Sequence, residues 1–161
     1  MADEIYLGNP LLKKANVAQE FTKDQILEFM ACKHDPVYFA KQHVKIVSLD
    51  EGLVNFEPYD FQETLIRRFH ENRFNICKMP RQTGKSTTSV SYLLHYAVFN
   101  DNVNIGILAN KAATARDLLG RLQTAYENLP KWMQQGIIAW NKGSLELENG
   151  SKILAASTSA S

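Results

Sequence analysis

The stretch that most constrains the fold is Phe74-Asn75-Ile76-Cys77-Lys78-Met79-Pro80-Arg81-Gln82-Thr83-Gly84-Lys85-Ser86-Thr87-Thr88. A strand-like apolar run leads into Gly84-Lys85-Ser86, and a helical pattern follows. That order builds a phosphate-binding loop: a strand delivers the loop, and loop N–H groups and the positive end of the next helix face an anion. In that arrangement Lys85 neutralises β- and γ-phosphates, and the Ser86 hydroxyl joins the shell of a Mg²⁺ ion. The full pattern has glycine five residues before Gly84, where this chain has Met79, so it is only partly met. The bland reading of the triplet is a helix N-terminus with a solvated lysine; the strand before it and the helix after it favour nucleotide binding.

The chain has 161 residues, enough for one domain with a real core. Its net charge of +1 removes any global basic signature for nucleic acid. Arg67, Arg68, His70 and Arg73 cluster near one helix end and read as a solvated face. Cys32 and Cys77 lack metal-ligand spacing and fit a reducing compartment, with Cys77 expected in the core of a strand. His34, His43, His70 and His95 are scattered and suggest no metal site. No apolar run approaches membrane-spanning length.

Residues 1–20 read as an arm or loop. Thr22-Lys23-Asp24-Gln25 predicts a capping box opening a helix to about Cys32. Asp35-Pro36 starts a second helix with Val37, Phe39, Ala40 and Val44 inward. Residues 44–57 predict a β-hairpin with Asp50-Glu51-Gly52 at its turn. Pro58 to Asn72 predicts a helix burying Phe61, Leu65, Ile66 and Phe69. A strand over 74–79, a helix from Lys85 to about Phe99, a strand over 103–109 and a helix from Lys111 to Leu129 follow. Ser144–Leu147 and Lys152–Ala155 flank Asn149-Gly150, a strong hairpin signal.

Strand and helix alternating in this way predict an α/β fold. The expected sheet is mostly parallel, of the P-loop NTPase type, with a helical N-terminal lead-in over 1–57, a partial ATPase core over 58–161 and a β-hairpin near the C-terminus. No apolar run ends in Asp-Glu; the acidic pairs Asp50-Glu51 and Asp3-Glu4 lie elsewhere. A nucleotide-hydrolysing site needs such a strand end to orient water and hold the metal. The sequence therefore reads as an incomplete domain and, alone, a poor ATPase.

Several blocks in order resemble one family. Arg81-Gln82-Thr83-Gly84-Lys85-Ser86-Thr87 resembles a phosphate-loop variant that lacks the first glycine. Tyr59-Asp60-Phe61-Gln62, Gly106-Ile107-Leu108-Ala109-Asn110-Lys111, Leu129-Pro130, the Trp140–Ser151 stretch and the arm Leu7–Asn16 add to it. Together they resemble the N-terminal ATPase portion of the large terminase subunit of T-even-like tailed bacteriophages, the motor that pumps viral DNA into a procapsid. The resemblance implies ATP and Mg²⁺ as cofactors, and Gln62 as the reader of adenine. Gln62 would otherwise be a plain surface glutamine; its carboxamide can donate and accept together. It implies Arg81 as an arginine finger in cis; the other reading of Arg81 is a loop brace bonded to a carboxylate. Gln82 and Thr83 would lend backbone N–H groups, Gly84 close approach, and Thr87 an N–H toward the α-phosphate. Trp132 and Trp140 read as core or subunit contacts, with stacking on DNA bases as the minor alternative.

The resemblance further implies double-stranded viral DNA, the portal and the small terminase subunit as partners. It implies action in the host cytoplasm, and a C-terminal part carrying the acidic strand and a nuclease that cuts concatemeric DNA. Two other functions remain open at this level: a non-catalytic assembly half of a split terminase, and a helicase-like translocase fragment.

Overall fold

The computed structural model describes residues 4–48 and 50–158. Asp3 of the Asp3-Glu4 pair, Leu49 and residues 159–161 of the terminal Ala155–Ser161 run lie outside them. The chain is a mixed α/β structure. The arm forms a short antiparallel pair, β1 (Ile5–Tyr6) and β2 (Asn9–Lys13). Helices α1 (Lys23–His34) and α2 (Pro36–His43) precede a hairpin of β3 (Lys45–Ser48) and β4 (Gly52–Asn55). Then come α3 (Asp60–Glu71), α4 (Lys85–Phe99), β5 (Asn104–Ala109) and α5 (Ala112–Glu127). A 3₁₀ turn (Lys131–Met133) leads to β6 (Ile137–Trp140), β7 (Ser144–Leu147) and β8 (Lys152–Ser157).

The helix starts follow local chemistry. Thr22 Oγ1 accepts from the Gln25 N–H, and Gln25 Oε1 accepts from the Thr22 N–H, so the predicted capping box forms. Asp35 Oδ1 accepts from the Val37 and Tyr38 N–H groups, with Pro36 in the first turn of α2. Glu28 fastens α1 to α2. It accepts from the Tyr38 hydroxyl at 2.9 Å, pairs with His43 Nε2 at 2.7 Å and accepts the Cys32 thiol. Burial alone would raise the Glu28 carboxyl; the bonds from His43 and Tyr38 outweigh it and hold it below its ordinary value. Two side chains that look scattered in sequence, Cys32 and His43, thus meet on one carboxylate.

The main sheet has the order β5-β8-β7-β6, with β5 and β8 parallel and the other two pairs antiparallel. The expectation of a mostly parallel sheet is therefore corrected to a mixed one. The Glu148–Ser151 and Asn141–Gly143 connections are too short for a crossover, so β6, β7 and β8 pair antiparallel. The expected hairpin near the C-terminus is present, with Gly150 at φ +81°. Asn149 Nδ2 donates to the carbonyls of Ala97 and Asn100, which fixes this turn on the end of α4.

The predicted strand over 74–79 is absent: residues 74–80 carry no strand pairing among the described residues, and Ile76 is fully exposed. Strands exist through ladder partners, and the free edge of β5 takes none here. Cys77 is accordingly half-buried in an unpaired segment rather than in a strand core. On α3, Ile66 is buried and Phe69 packs on Tyr92, whereas Phe61 is exposed and stacks on Tyr59. The arm is better ordered than a loop. Gln134, 2% exposed, accepts from the Lys13 N–H and donates to the carbonyls of Leu11, Tyr126 and Leu129. One hydrophobic cluster takes in Leu12, Phe39, Ile66, Leu94, Leu119 and Ile153.

His95 lies inside this core, 2% exposed, with Phe39, Tyr92, Phe99 and His70 around its ring. Its Nε2 donates to the Cys32 carbonyl at 2.8 Å, and its Nδ1 has no partner among the described residues. Burial pushes its pKa from 6.5 down to about 4. Between those values the unfolded chain binds more protons than the folded one, so stability from this group is intact above 6.5 and is lost as pH falls toward 4. The expected loss is ~3 kcal/mol across that window. Denaturant unfolding as a function of pH should show a shallower slope there for His95→Leu than for the parent, and equal slopes would contradict a neutral buried His95.

Candidate functional site

Helix α4 begins at Gly84, which takes the left-handed conformation at φ +71° and ψ 17°. A residue with a Cβ is disfavoured there, whereas glycine is not. Among the described residues no side chain caps α4. The first N–H groups of a helix have no partner within it, so the N-terminal turn of α4 presents uncapped donors and the positive end of its dipole. Gln82 is also left-handed at φ +63°, and Thr83 Oγ1 donates to the Pro80 carbonyl at 3.0 Å. The chain from Pro80 to Gly84 is thereby a closed, sharply turned loop feeding a helix.

The predicted residues divide between the two sides of this loop. Arg81 and Gln82 are exposed, Lys85 is half-buried, and Ser86 is exposed in the first turn of α4. Lys85 Nζ donates to the Met79 carbonyl at 3.1 Å, at the position where the full motif carries glycine. Among the described residues no carboxylate lies within salt-bridge distance of Arg81. Lys85 and Ser86 border a small pocket toward Ile107 of β5. Gln62, Gly84 and Thr87 instead line a cleft of about 650 Å³ whose opposite wall is the β3–β4 hairpin, with Tyr59 at its rim.

Gln62 is 4% exposed. Its Oε1 accepts from the Tyr59 N–H at 2.9 Å, completing the start of α3, and its Nε2 donates to the Gly84 carbonyl at 3.4 Å. The same carbonyl accepts the N–H and the hydroxyl of Thr88, each at 2.9 Å. Thr88 was outside the sequence expectations; its signal is a buried hydroxyl one helical turn after the loop glycine. Tyr59 and the hairpin were likewise unassigned, because their link to the loop is spatial.

Trp132 and Trp140 are half-buried, Trp132 near the edge of His43 and Trp140 against Tyr126, which agrees with a packing role. Arg67 faces Asp35 at 3.6 Å and Arg68 faces Glu71 at 3.8 Å, as expected of solvated helix charges. No helix among the described residues is long and apolar enough to cross a membrane.

A Cβ at Gly84 would stand 2.3 Å from Gln62 Nε2. Gly84→Ala should therefore destabilise the protein by about 1–2 kcal/mol from the left-handed backbone alone, and further by displacing Gln62. Gly120→Ala on α5, where a Cβ meets nothing within 4 Å, is the control and should be neutral or stabilising. Urea unfolding of the two variants checks the difference.

A family model described as "Terminase large subunit, T4likevirus-type, N-terminal" matches residues 76–161, which is more than half of the chain and begins two residues into the apolar run ahead of the loop. The match includes the left-handed glycine, the uncapped helix start and the β5–β8 sheet. The chain belongs to the large terminase subunit family of the T4-like-virus type, and represents its N-terminal part.

Proposed function

We propose that residues 80–88 bind the phosphates of ATP, and that the chain is the nucleotide-binding part of a P-loop DNA-packaging motor. Membership in the terminase family supports the packaging role. The observation that carries the nucleotide reading is the uncapped N-terminus of α4 behind a left-handed glycine. An anion there gains several N–H bonds and the helix dipole without meeting a Cβ.

The residues fit the group. Lys85 is close enough to the loop to exchange its bond with the Met79 carbonyl for a phosphate oxygen. Arg81, with no carboxylate in salt-bridge distance among the described residues, is available to stabilise charge as the γ-phosphoryl departs. Gln82, Thr83 and Thr87 contribute backbone N–H groups, and the Ser86 hydroxyl would hold Mg²⁺. That ion, when bound, offsets charge between phosphate oxygens. The base would lie in the cleft beside Tyr59 and Gln62, with adenine as the proposed base.

Neither parallel strand ends in a carboxylate: β5 runs into Asn110 and β8 ends at Ser157. The proposed chain therefore binds ATP and turns it over slowly. In the whole motor, hydrolysis would be coupled to moving double-stranded viral DNA through the portal, with the small subunit as partner and a C-terminal nuclease cutting the concatemer. These events would take place in the host cytoplasm. A second reading, an assembly half whose loop holds phosphate weakly, is favoured by the unpaired 74–80 segment with Phe74 and Ile76 exposed.

Lys85→Ala should weaken ATP–Mg²⁺ binding at least about tenfold, because it removes a charge aimed at phosphate and no core contact. Its melting temperature should stay close to the parent's, because the bond it loses, to the Met79 carbonyl, lies in the loop and not in the core. Isothermal titration checks the affinity, and equal affinity in the two proteins would overturn the phosphate-loop reading. Steady-state phosphate release should stay near background in both; rapid Lys85-dependent release would place the water-activating group within this chain.

A further inference from the structure

We propose that Glu28, Cys32 and His43 form a transition-metal site, with Zn²⁺ as its ion, that holds the two lead-in helices together. The site is separate from residues 80–88 and does not depend on the phosphate reading of that loop.

Among the described residues, these three side chains bring one donor atom each within 4.8 Å of one another. Glu28 and Cys32 are four residues apart on α1, so they share one face of the helix. His43 ends α2 and meets that face. Its Nε2 stands 2.7 Å from Glu28 Oε1, and Cys32 Sγ stands 3.6 Å from the same oxygen. Donors around a tetrahedral ion with bonds of about 2.0–2.3 Å lie roughly 3.3–3.7 Å apart. The sulfur is already at that spacing from Oε1, and the Glu28 carboxylate, 29% exposed, has room to turn and open the other.

The donor types select the metal. A thiolate, an imidazole nitrogen and a carboxylate oxygen suit Zn²⁺, whereas Ca²⁺ and Mg²⁺ take oxygen shells. With three protein ligands the fourth position falls to water, and partly exposed Glu28 and His43 give the ion a path from solvent. Tyr38 donates to Glu28 Oε2 at 2.9 Å, which orients the carboxylate from outside and leaves Oε1 as the ligand oxygen. A buried free cysteine ordinarily packs as a small apolar side chain; this one aims its thiol at a carboxylate. On binding, the ion replaces the thiol proton, which passes to solvent. His43 carries its ring proton on Nδ1 and gives the Nε2 lone pair to the ion. No oxidation change is involved. The bound ion would fix α2 on α1, and α2 carries Phe39 against His95 and Phe99 of α4.

Titrating the chelator-treated chain with Zn²⁺ should show a single saturable site and raise the melting temperature. Co²⁺ in its place should give the near-ultraviolet charge-transfer band of a thiolate–Co²⁺ bond. Cys32→Ser should remove that band. His43→Gln should weaken Zn²⁺ binding at least about a hundredfold, since losing even an outer-shell partner costs about 10–100-fold, and Tyr38→Phe should weaken it about tenfold. Cys77→Ser, which alters the other thiol, should leave band and affinity unchanged. A parent protein that shows no thiolate band with stoichiometric Co²⁺ overturns the proposal without need of any variant. A band that survives Cys32→Ser or disappears in Cys77→Ser overturns it, as does Zn²⁺ affinity that His43→Gln leaves intact.

Discussion

The carbonyl of Gly84 is the point on which the site depends. Glycine suits its geometry, because a left-handed backbone disfavours a Cβ and a Cβ here would displace the Gln62 amide, 2.3 Å away. From that carbonyl the Thr88 bonds begin α4, and the Gln62 bond draws in the start of α3. The loop before it then has little freedom. Thr83 closes on Pro80 and Lys85 folds back to Met79, which leaves Arg81 and Gln82 at an exposed tip. A small set of backbone acceptors thus decides where a lysine, a hydroxyl and a row of N–H groups stand.

Packing holds that arrangement from behind. Helix α4 buries Val90, Leu94, Ala97 and Val98, and its far end is fixed by Asn149 from the β7–β8 turn. Glu28 ties α1 to α2, whose Phe39 meets His95 and Phe99 of α4. On the other flank Gln134 joins the arm to the end of α5, and Glu148 accepts from the N–H groups of Asn16 and Gly136. Buried polar groups of this kind are costly when unpaired, so each bond also restricts alternatives. The site end of α4 is held by polar contacts, and its other end by core and turn.

Features set by neighbours in sequence were legible from it. The Thr22 capping box, the Asp35-Pro36 helix start, the β3–β4 hairpin and the Asn149-Gly150 turn each need only a few adjacent residues. The inward face of α4 followed from helical spacing. Features that require a distant partner were not. The Phe74–Met79 run has strand composition, yet it has no ladder in the described structure. The β6 strand and the arm pair are visible only once Gln134 and the Lys14–Ile137 bridge bring them together. Phe61 has helical spacing toward the core but stacks on Tyr59 at the cleft rim instead. In the site, the spacing of Gly84, Lys85 and Ser86 marked the loop, while the contact between Gln62 and Gly84 could not be read from either residue alone.

The central claim, that the turn between Pro80 and Thr88 is a phosphate site served by the cleft beside it, is tested most directly by titrating the isotope-labelled chain with ATP–Mg²⁺ and following backbone amide resonances. Saturable shifts should be largest for Gln82 to Thr88 and should extend to Tyr59 and Gln62, with the β6–β7 hairpin unmoved. Shifts that are absent from the loop, or that centre elsewhere on the chain, would contradict it.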